Sequence, residues 1–274
     1  MLNINTNIYS LTAQTNLSGT QSSLSQAINR LSSGKRINSS ADDAAGLAIS
    51  TTMQASVNAY TQGVANANNA VSMAQTASSG LSAITADLQR IRQLAVQASD
   101  DSIGADAQAN LNTEVTARIA EINRISTDTT FNGIKLLDGT AGTAGVVKFQ
   151  IGETAGQQLS MDLSGKFDAT TLTVAGDTTS SANAQTLMGQ VDAALKTVNT
   201  AQAKLGSNIN LFQAAISQTT TQATNVSAAS AQITDANFAQ ETANLSKAQV
   251  LQQAGISVLA QANSMPQQVL KLLQ

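Results

Sequence analysis

"VDAALKTVNTAQAKLGSNINLFQAAISQTTTQATNVSAASAQI", residues 191–233, carries the most regular pattern in the chain. Val191, Leu195, Val198, Gln202, Leu205, Ile209, Phe212, Ile216, Thr219, Ala223, Val226, Ser230 and Ile233 step alternately by four and three. A mean step near 3.5 residues keeps one face of an α-helix turned toward a partner, as in a coiled-coil seam. The spacing predicts a long helix over 183–231, with Leu205, Ile209, Phe212 and Ile216 at the centre of its seam.

A seam needs a partner of similar length, and residues 44–99 supply one. Met53, Tyr60, Ala67, Ala74, Leu81, Leu88 and Ala95 recur every seven residues, and Val57, Val64 and Val71 follow four residues after the first three. A helix of this size is about 80 Å long at 1.5 Å per residue. Short elements cannot cover it, so the two long helices are expected to lie side by side and antiparallel.

Shorter periodic runs predict helices over 3–33 (Ile4 to Leu31), 105–127 (Leu111 to Ile125) and 235–264 (Phe238 to Ala262). Pro266, the sole proline, is expected to kink or end the last one. From Phe131 the period changes to two: Val147, Phe149 and Ile151, then Leu159, Met161 and Leu163, then Leu172 and Val174, with glycine-rich joints between. That region, 131–176, is expected to be β-rich. The fold class is mainly α: an elongated rod of coiled-coil-like helices, with a small β-hairpin region at one end and the termini meeting at the other. Leu24, Ile28, Leu31, Phe238, Leu245 and Leu259 are the expected core of the terminal helix pair. Each terminal stretch has an apolar stripe and too little partner to bury it alone. Both are expected to be largely disordered in the free subunit and to fold against neighbours.

Composition narrows the function. The 274 residues carry a formal charge of −3, with no Cys, His or Trp. A near-neutral chain has no electrostatic case for nucleic acid or an anionic membrane as main partner. Missing His and Cys remove the commonest proton-transfer, metal and nucleophile side chains. No apolar run is long enough to cross a bilayer, and MLNINTNIYS at the start lacks the layout of a cleaved signal peptide. The paired acids Asp42–Asp43 and Asp100–Asp101 lack a calcium-loop pattern, and GTAGTAG at 139–145 lacks the Lys of a phosphate loop. No enzyme activity, metal or cofactor is expected.

Charge is gathered at one place. Lys35, Arg36, Asp42 and Asp43 fall within "SSGKRINSSADDAAGLAIS", residues 32–50, whereas Ala44 to Ala86 holds no Asp, Glu, Lys or Arg. Locally this is a helix junction. Gly34 offers a stop, Lys35 and Arg36 suit the negative end of a helix, and Ser40 is the expected cap of the next helix with Asp43 three residues on. The long uncharged surface that follows can be buried at modest desolvation cost once its polar groups find partners. That suits side-by-side packing with copies of the same chain.

Four blocks carry a resemblance. "LSSGKRINSSADDAAGLAIS" at 31–50 resembles the N-terminal signature of bacterial flagellins, and "LQRIRQLAVQASD" at 88–100 and "FNGIKLLDG" at 131–139 are similar to the family's next two motifs. "AQVLQQAGISVLAQANSMPQQVLKLLQ" at 248–274 resembles its C-terminal signature. The resemblance covers roughly the first 140 and last 90 residues.

It implies a minimal flagellin. An inner coiled-coil core domain would be formed by 1–41 with 232–274, a rod domain by 42–231, and no large outer domain would be present. It implies a secreted structural subunit that assembles with itself into the extracellular filament for swimming. Its further partners would be the flagellar type III export apparatus, a chaperone of the C-terminal segment, and hook-associated and cap proteins. Lys35, Arg36, Asp42 and Asp43 would lie among neighbouring subunits. Arg90, Leu94 and Glu114 match the positions that Toll-like receptor 5 reads, although Gln93 departs from the family's common Glu. Ser and Thr in 140–185 would be candidate glycan carriers. Two other readings stay open: a hook–filament junction protein, and a soluble coiled-coil signalling module, which would normally carry a membrane segment and more than the four Glu found here.

Overall fold

The computed structural model describes residues 6–272. Its elements, in order, are α1 (Ile8–Ser33), α2 (Ala44–Ala98), α3 (Ala105–Asp128), β1 (Thr130–Phe131), β2 (Ile134–Lys135), β3 (Val146–Gln150), β4 (Gln158–Asp162), α4 (Ser181–Thr234) and α5 (Phe238–Leu272). The chain divides into two compact units, one of residues 1–55 with 225–274 and one of residues 56–224.

In the unit of residues 56–224, α2 and α4 run antiparallel in a constant register. The Ser181 hydroxyl donates to the Ser99 carbonyl at 2.9 Å, Arg92 pairs with Asp192 at 2.7 Å, and Gln202 donates to the Ser82 hydroxyl at 3.3 Å. The predicted seams fall on the facing sides. Ala67, Ala74, Leu81, Leu88 and Ala95 of α2, and Val191, Val198, Leu205 and Phe212 of α4, are all buried. The intervening Ile209 and Ile216 are half-buried against the same core. Burying a Leu, Ile or Phe side chain stabilises by about 1.5–3 kcal/mol each, so this column is the main source of cohesion. α3 folds back along α2 and adds Val115, Ile122 and Ile125 to the core.

Asn132 and Gly133, at φ 49° and 79°, form the tight turn of the β1–β2 hairpin; an Asn-Gly pair at two left-handed positions matches strand twist. The β3–β4 hairpin pairs Val146 with Asp162 through Gln150 with Gln158. It is fixed to the helices by the Asn66 amide donating to the Gln150 carbonyl at 2.8 Å, and by Phe149 meeting Phe212 edge to face at 5.5 Å. Leu172–Val174 is not a strand. Its amides turn back to Asp168 and Ala169, and Thr173 sits at φ 58°. Leu172 and Val174 are buried and Thr173 is exposed, so a turn produced the alternation that suggested a strand.

In the other unit, α1 and α5 pair antiparallel. The Ser10 hydroxyl donates to Asn263 at 2.8 Å, Gln252 to Gln21 at 2.7 Å, and Arg30 pairs with Glu241 at 3.1 Å. α1 begins at Ile8 rather than Ile4, which lies outside the described residues, because the Asn7 side chain caps it by accepting from the Ser10 amide at 3.1 Å. Gly34 at φ 70° closes α1 in the left-handed conformation. Pro266 does not end the last helix, which continues to Leu272. A proline has no N–H for the carbonyl four residues back, here that of Ala262. The Asn7 amide donates to that carbonyl at 2.7 Å.

The core of this pair also differs from expectation. Its buried residues are Ala13, Ala27, Ala248, Ala262 and Glu241. Leu24, Leu31, Leu245 and Leu259 are half-buried, whereas Ile28 is 48% and Phe238 58% exposed. Alanines let the two helices approach closely, and the large side chains are displaced to the flanks.

Candidate assembly surface

Three surfaces stand out, two of them containing residues singled out in the sequence. The first is the junction of residues 34–43 with 233–238. Main-chain bonds run from Arg36 N to Thr234 O at 2.7 Å and from Ala236 N to Gly34 O at 2.9 Å, and Lys35 pairs with Asp235 as a β-bridge. The Arg36 guanidinium donates to the Ile233 carbonyl at 2.6 Å, placing a cation on the negative end of α4. Asp42 accepts from the Asn38 and Ser39 amides at 3.2 and 3.0 Å, and these bonds hold its carboxyl below the usual range. The cap of α2 is Asp43, not Ser40: its carboxylate accepts from Gly46 N at 2.8 Å. Ser40 is three residues too early, because α2 starts at Ala44. Gly46 lets the cap and Ile37 pack close, since an added Cβ would lie 2.7 Å from Ile37 Cδ1. The side chains of Arg36, Asp42 and Asp43 thus have a task within the chain, Lys35 contributes its main chain, and Lys35, Arg36 and Asp42 remain exposed.

The second surface is on α2 and α3. Arg90 grips Glu114 with two bonds of 2.8 and 3.1 Å and reaches Gln93 at 3.4 Å. The pairing raises the Arg90 pKa and lowers that of Glu114. Leu94, expected on the same face, is only 1% exposed and belongs to the core. The surface therefore consists of the ion pair, with Leu94 withdrawn into the core. Arg118 adds a 3.1 Å bond to the nearly buried Asp87.

The third surface is the outer side of the α1–α5 pair. Ile8, Tyr9 and Leu11 of α1, and Val250, Leu251, Ile256, Val258 and Met265 of α5, are all exposed. Sequence reasoning did not select these as functional. The doublets Val250–Leu251 and Val258–Leu259 were the available signal. Neighbours on a helix are about 100° apart, so a doublet cannot point wholly at one partner. Among the described residues no cluster of three or more His, Cys, Asp or Glu could hold a metal, and no helix is long and apolar enough to cross a membrane.

The chain is similar to known proteins along its whole length. Residues 4–142 match the bacterial flagellin N-terminal helical region, and residues 188–273 the bacterial flagellin C-terminal helical region. The chain belongs to the bacterial flagellins. It is 37% identical to a flagellin of Halalkalibacterium halodurans over 274 residues, covering 99% of both chains. A crystal structure of Bacillus cereus flagellin aligns at TM-score 0.51 and 29% identity, covering 61% of this chain and 94% of that one. A flagellar hook-associated protein of Vibrio parahaemolyticus aligns at TM-score 0.59 over 71% of this chain and 100% of its own, but at 15% identity this is a likeness of fold alone. The end-to-end match to a flagellin separates the filament subunit from its junction-protein relatives. This flagellin is a structural subunit that self-assembles into the flagellar filament.

Proposed function

We propose that residues 1–41 with 232–274 act as the inner assembly core of the filament, and that 42–231 act as its rod domain. The observation that carries this reading is the row of exposed apolar side chains on α1 and α5, beside a seam made of alanine. Apolar surface left in water on a folded pair is stabilised by burial elsewhere, at about 25 cal/mol per Å², and copies of the same pair offer the same surface. Lys35, Arg36, Asp42 and Asp43 lie at the α1–α2 junction, where the exposed Lys35, Arg36 and Asp42 can meet neighbouring subunits.

The test is Val250→Ser with Val258→Ser. Both residues are more than half exposed, so monomer stability should shift by no more than about 0.5 kcal/mol, while salt-induced filaments seen by electron microscopy should disappear. Filaments of wild-type length and diameter from this variant would refute the core assignment.

The same apolar stripe on α5 supports capture by a chaperone of the C-terminal segment before passage through the type III export apparatus, and hook-associated and cap proteins would complete the filament ends. Calorimetry with a peptide of residues 235–274 measures the chaperone step; undiminished binding to a chain lacking those residues would refute it. The exposed Arg90–Glu114 pair supports a second role, recognition of the monomer by Toll-like receptor 5. Arg90→Ala with Glu114→Ala should then silence a receptor reporter assay, and unchanged signalling would remove these residues from the role.

A further inference from the structure

A groove of about 490 Å³ opens between the end of β4 with the loop that follows it, Leu136 and Leu137, and one side of α4, with Leu81 contributed by α2. Its floor includes Leu81, Phe167 and Leu205, and its rim carries Lys166, Lys196 and Lys204 against a single acid, Asp162. None of the three lysines makes an ion pair among the described residues, and all three are exposed. A chain of net charge −3 therefore holds a locally positive, apolar-floored groove.

The complementary feature lies on the same chain. The loop between α2 and α3, with the start of α3, reads DDSIGAD over 100–106, with Asp100, Asp101 and Asp106 exposed around a half-buried Ile103 and no base among them. This loop cannot enter its own groove. Gln202 meets Ser82 and Arg92 meets Asp192, so Lys196 to Lys204 lie beside residues near 80–88 of α2. Twelve to twenty residues of continuous helix, about 18–30 Å, separate that level from Asp100.

We propose that the groove receives the 100–106 loop of a second copy, with Asp100, Asp101 and Asp106 facing Lys166, Lys196 and Lys204 and Ile103 entering the apolar floor. The contact is heterologous: donor loop and acceptor groove are different parts of one chain. Such contacts propagate into open helical polymers when the rotation does not close. The proposal rests on the filament-subunit function and names one of the contacts that would build the filament. Opposed charge would set which surfaces meet and how fast, and juxtaposed like charge would block the wrong pairing.

Charge exchange tests it. Lys196→Glu with Lys204→Glu, and separately Asp101→Lys with Asp106→Lys, should each raise the critical concentration for polymerisation at low salt by at least about tenfold. The chain carrying all four changes should return to within about threefold of wild type, because the pairing is restored with its sign reversed. Should the lysine variant lose its helical circular dichroism, a second readout decides. The chain has no cysteine, so Ser102→Cys with Thr200→Cys should give an oxidised ladder of dimers, trimers and longer species in assembled polymer, while either single variant stays monomeric on denaturing gels. Polymer without a ladder, or reversed variants that assemble like wild type, would overturn the groove contact alone. A wild-type chain that forms no polymer would overturn the filament reading with it.

Discussion

The α2–α4 seam and the α1–α5 pair are both antiparallel helix contacts, yet they are built from opposite materials. The first buries Leu81, Leu88, Leu205 and Phe212 completely or nearly so. The second buries alanines and leaves Ile28, Phe238, Val250 and Val258 in water. Helix pairs in water are held chiefly by the apolar area they remove from solvent. The α2–α4 seam finishes its core within one chain, whereas the α1–α5 pair leaves apolar surface in water. On the proposed assembly roles, the first unit would stand before assembly and the second would contribute most once neighbours are present.

The largest test of that contrast is a pair of matched truncations. Phe212→Ala removes a ring with no exposed surface and an edge contact to Phe149, and should cost about 3–5 kcal/mol in the monomer. Phe238→Ala removes a ring that is 58% exposed and should cost no more than about 0.5 kcal/mol, while weakening assembly. Thermal melts of the two variants check the difference, and equal costs would erase it.

A smaller effect is expected at Asn7. Its side chain both caps α1 and donates to the Ala262 carbonyl that Pro266 cannot serve. Asn7→Ala should destabilise the α1–α5 pair by about 1–2 kcal/mol. Pro266→Ala gives the Ala262 carbonyl a backbone donor, so the same Asn7→Ala change should cost less in that background. A double-mutant cycle with no coupling between the two positions would show that Asn7 does not compensate the proline.

Much of the fold was legible because period is a strong signal. The four-and-three step of residues 191–233 placed a continuous buried stripe, and the alternation of Val147, Phe149, Leu159 and Met161 marked the β3–β4 hairpin. What was not legible depended on three-dimensional detail that pattern does not carry. Alanine and isoleucine count alike in an apolar stripe, so nothing in the sequence told that Ala27 would be inside and Ile28 outside. Ser40 and Asp43 are both good caps, and the choice between them rests on where the chain can first turn into α2. Leu172 and Val174 alternate with threonine in a turn as they would in a strand. Leu94 shares a helical face with Arg90 by spacing, but Leu94 turns into the core while Arg90 stays at the surface. The three lysines of the groove come from two segments thirty residues apart, and no spacing rule joins them.

The smallest predicted effect concerns pH and applies mainly to the surface of the unit that stands alone. Hydrogen bonds from Arg90 lower the Glu114 pKa, those from Arg92 lower that of Asp192, and backbone bonds do the same for Asp100. A carboxyl whose pKa is lower folded than unfolded adds stability above its unfolded pKa and loses it as pH falls through the folded value. Monomer stability should therefore decline below about pH 4.5 and, with no His or Cys to titrate, stay level from about pH 5.5 to 7. Denaturant midpoints across that range measure it; a midpoint that rises on acidification from pH 5 to pH 3 would reverse the sign.

Amide hydrogen exchange on monomer and filament tests the central contrast most directly. Amides of residues 187–212 should be strongly protected in both states. Those of residues 8–33 and 238–265 should exchange orders of magnitude faster in the monomer and become protected to a similar degree only in the filament. Equal protection of the two regions in the monomer would contradict the account, because the α1–α5 pair would then be complete without its neighbours.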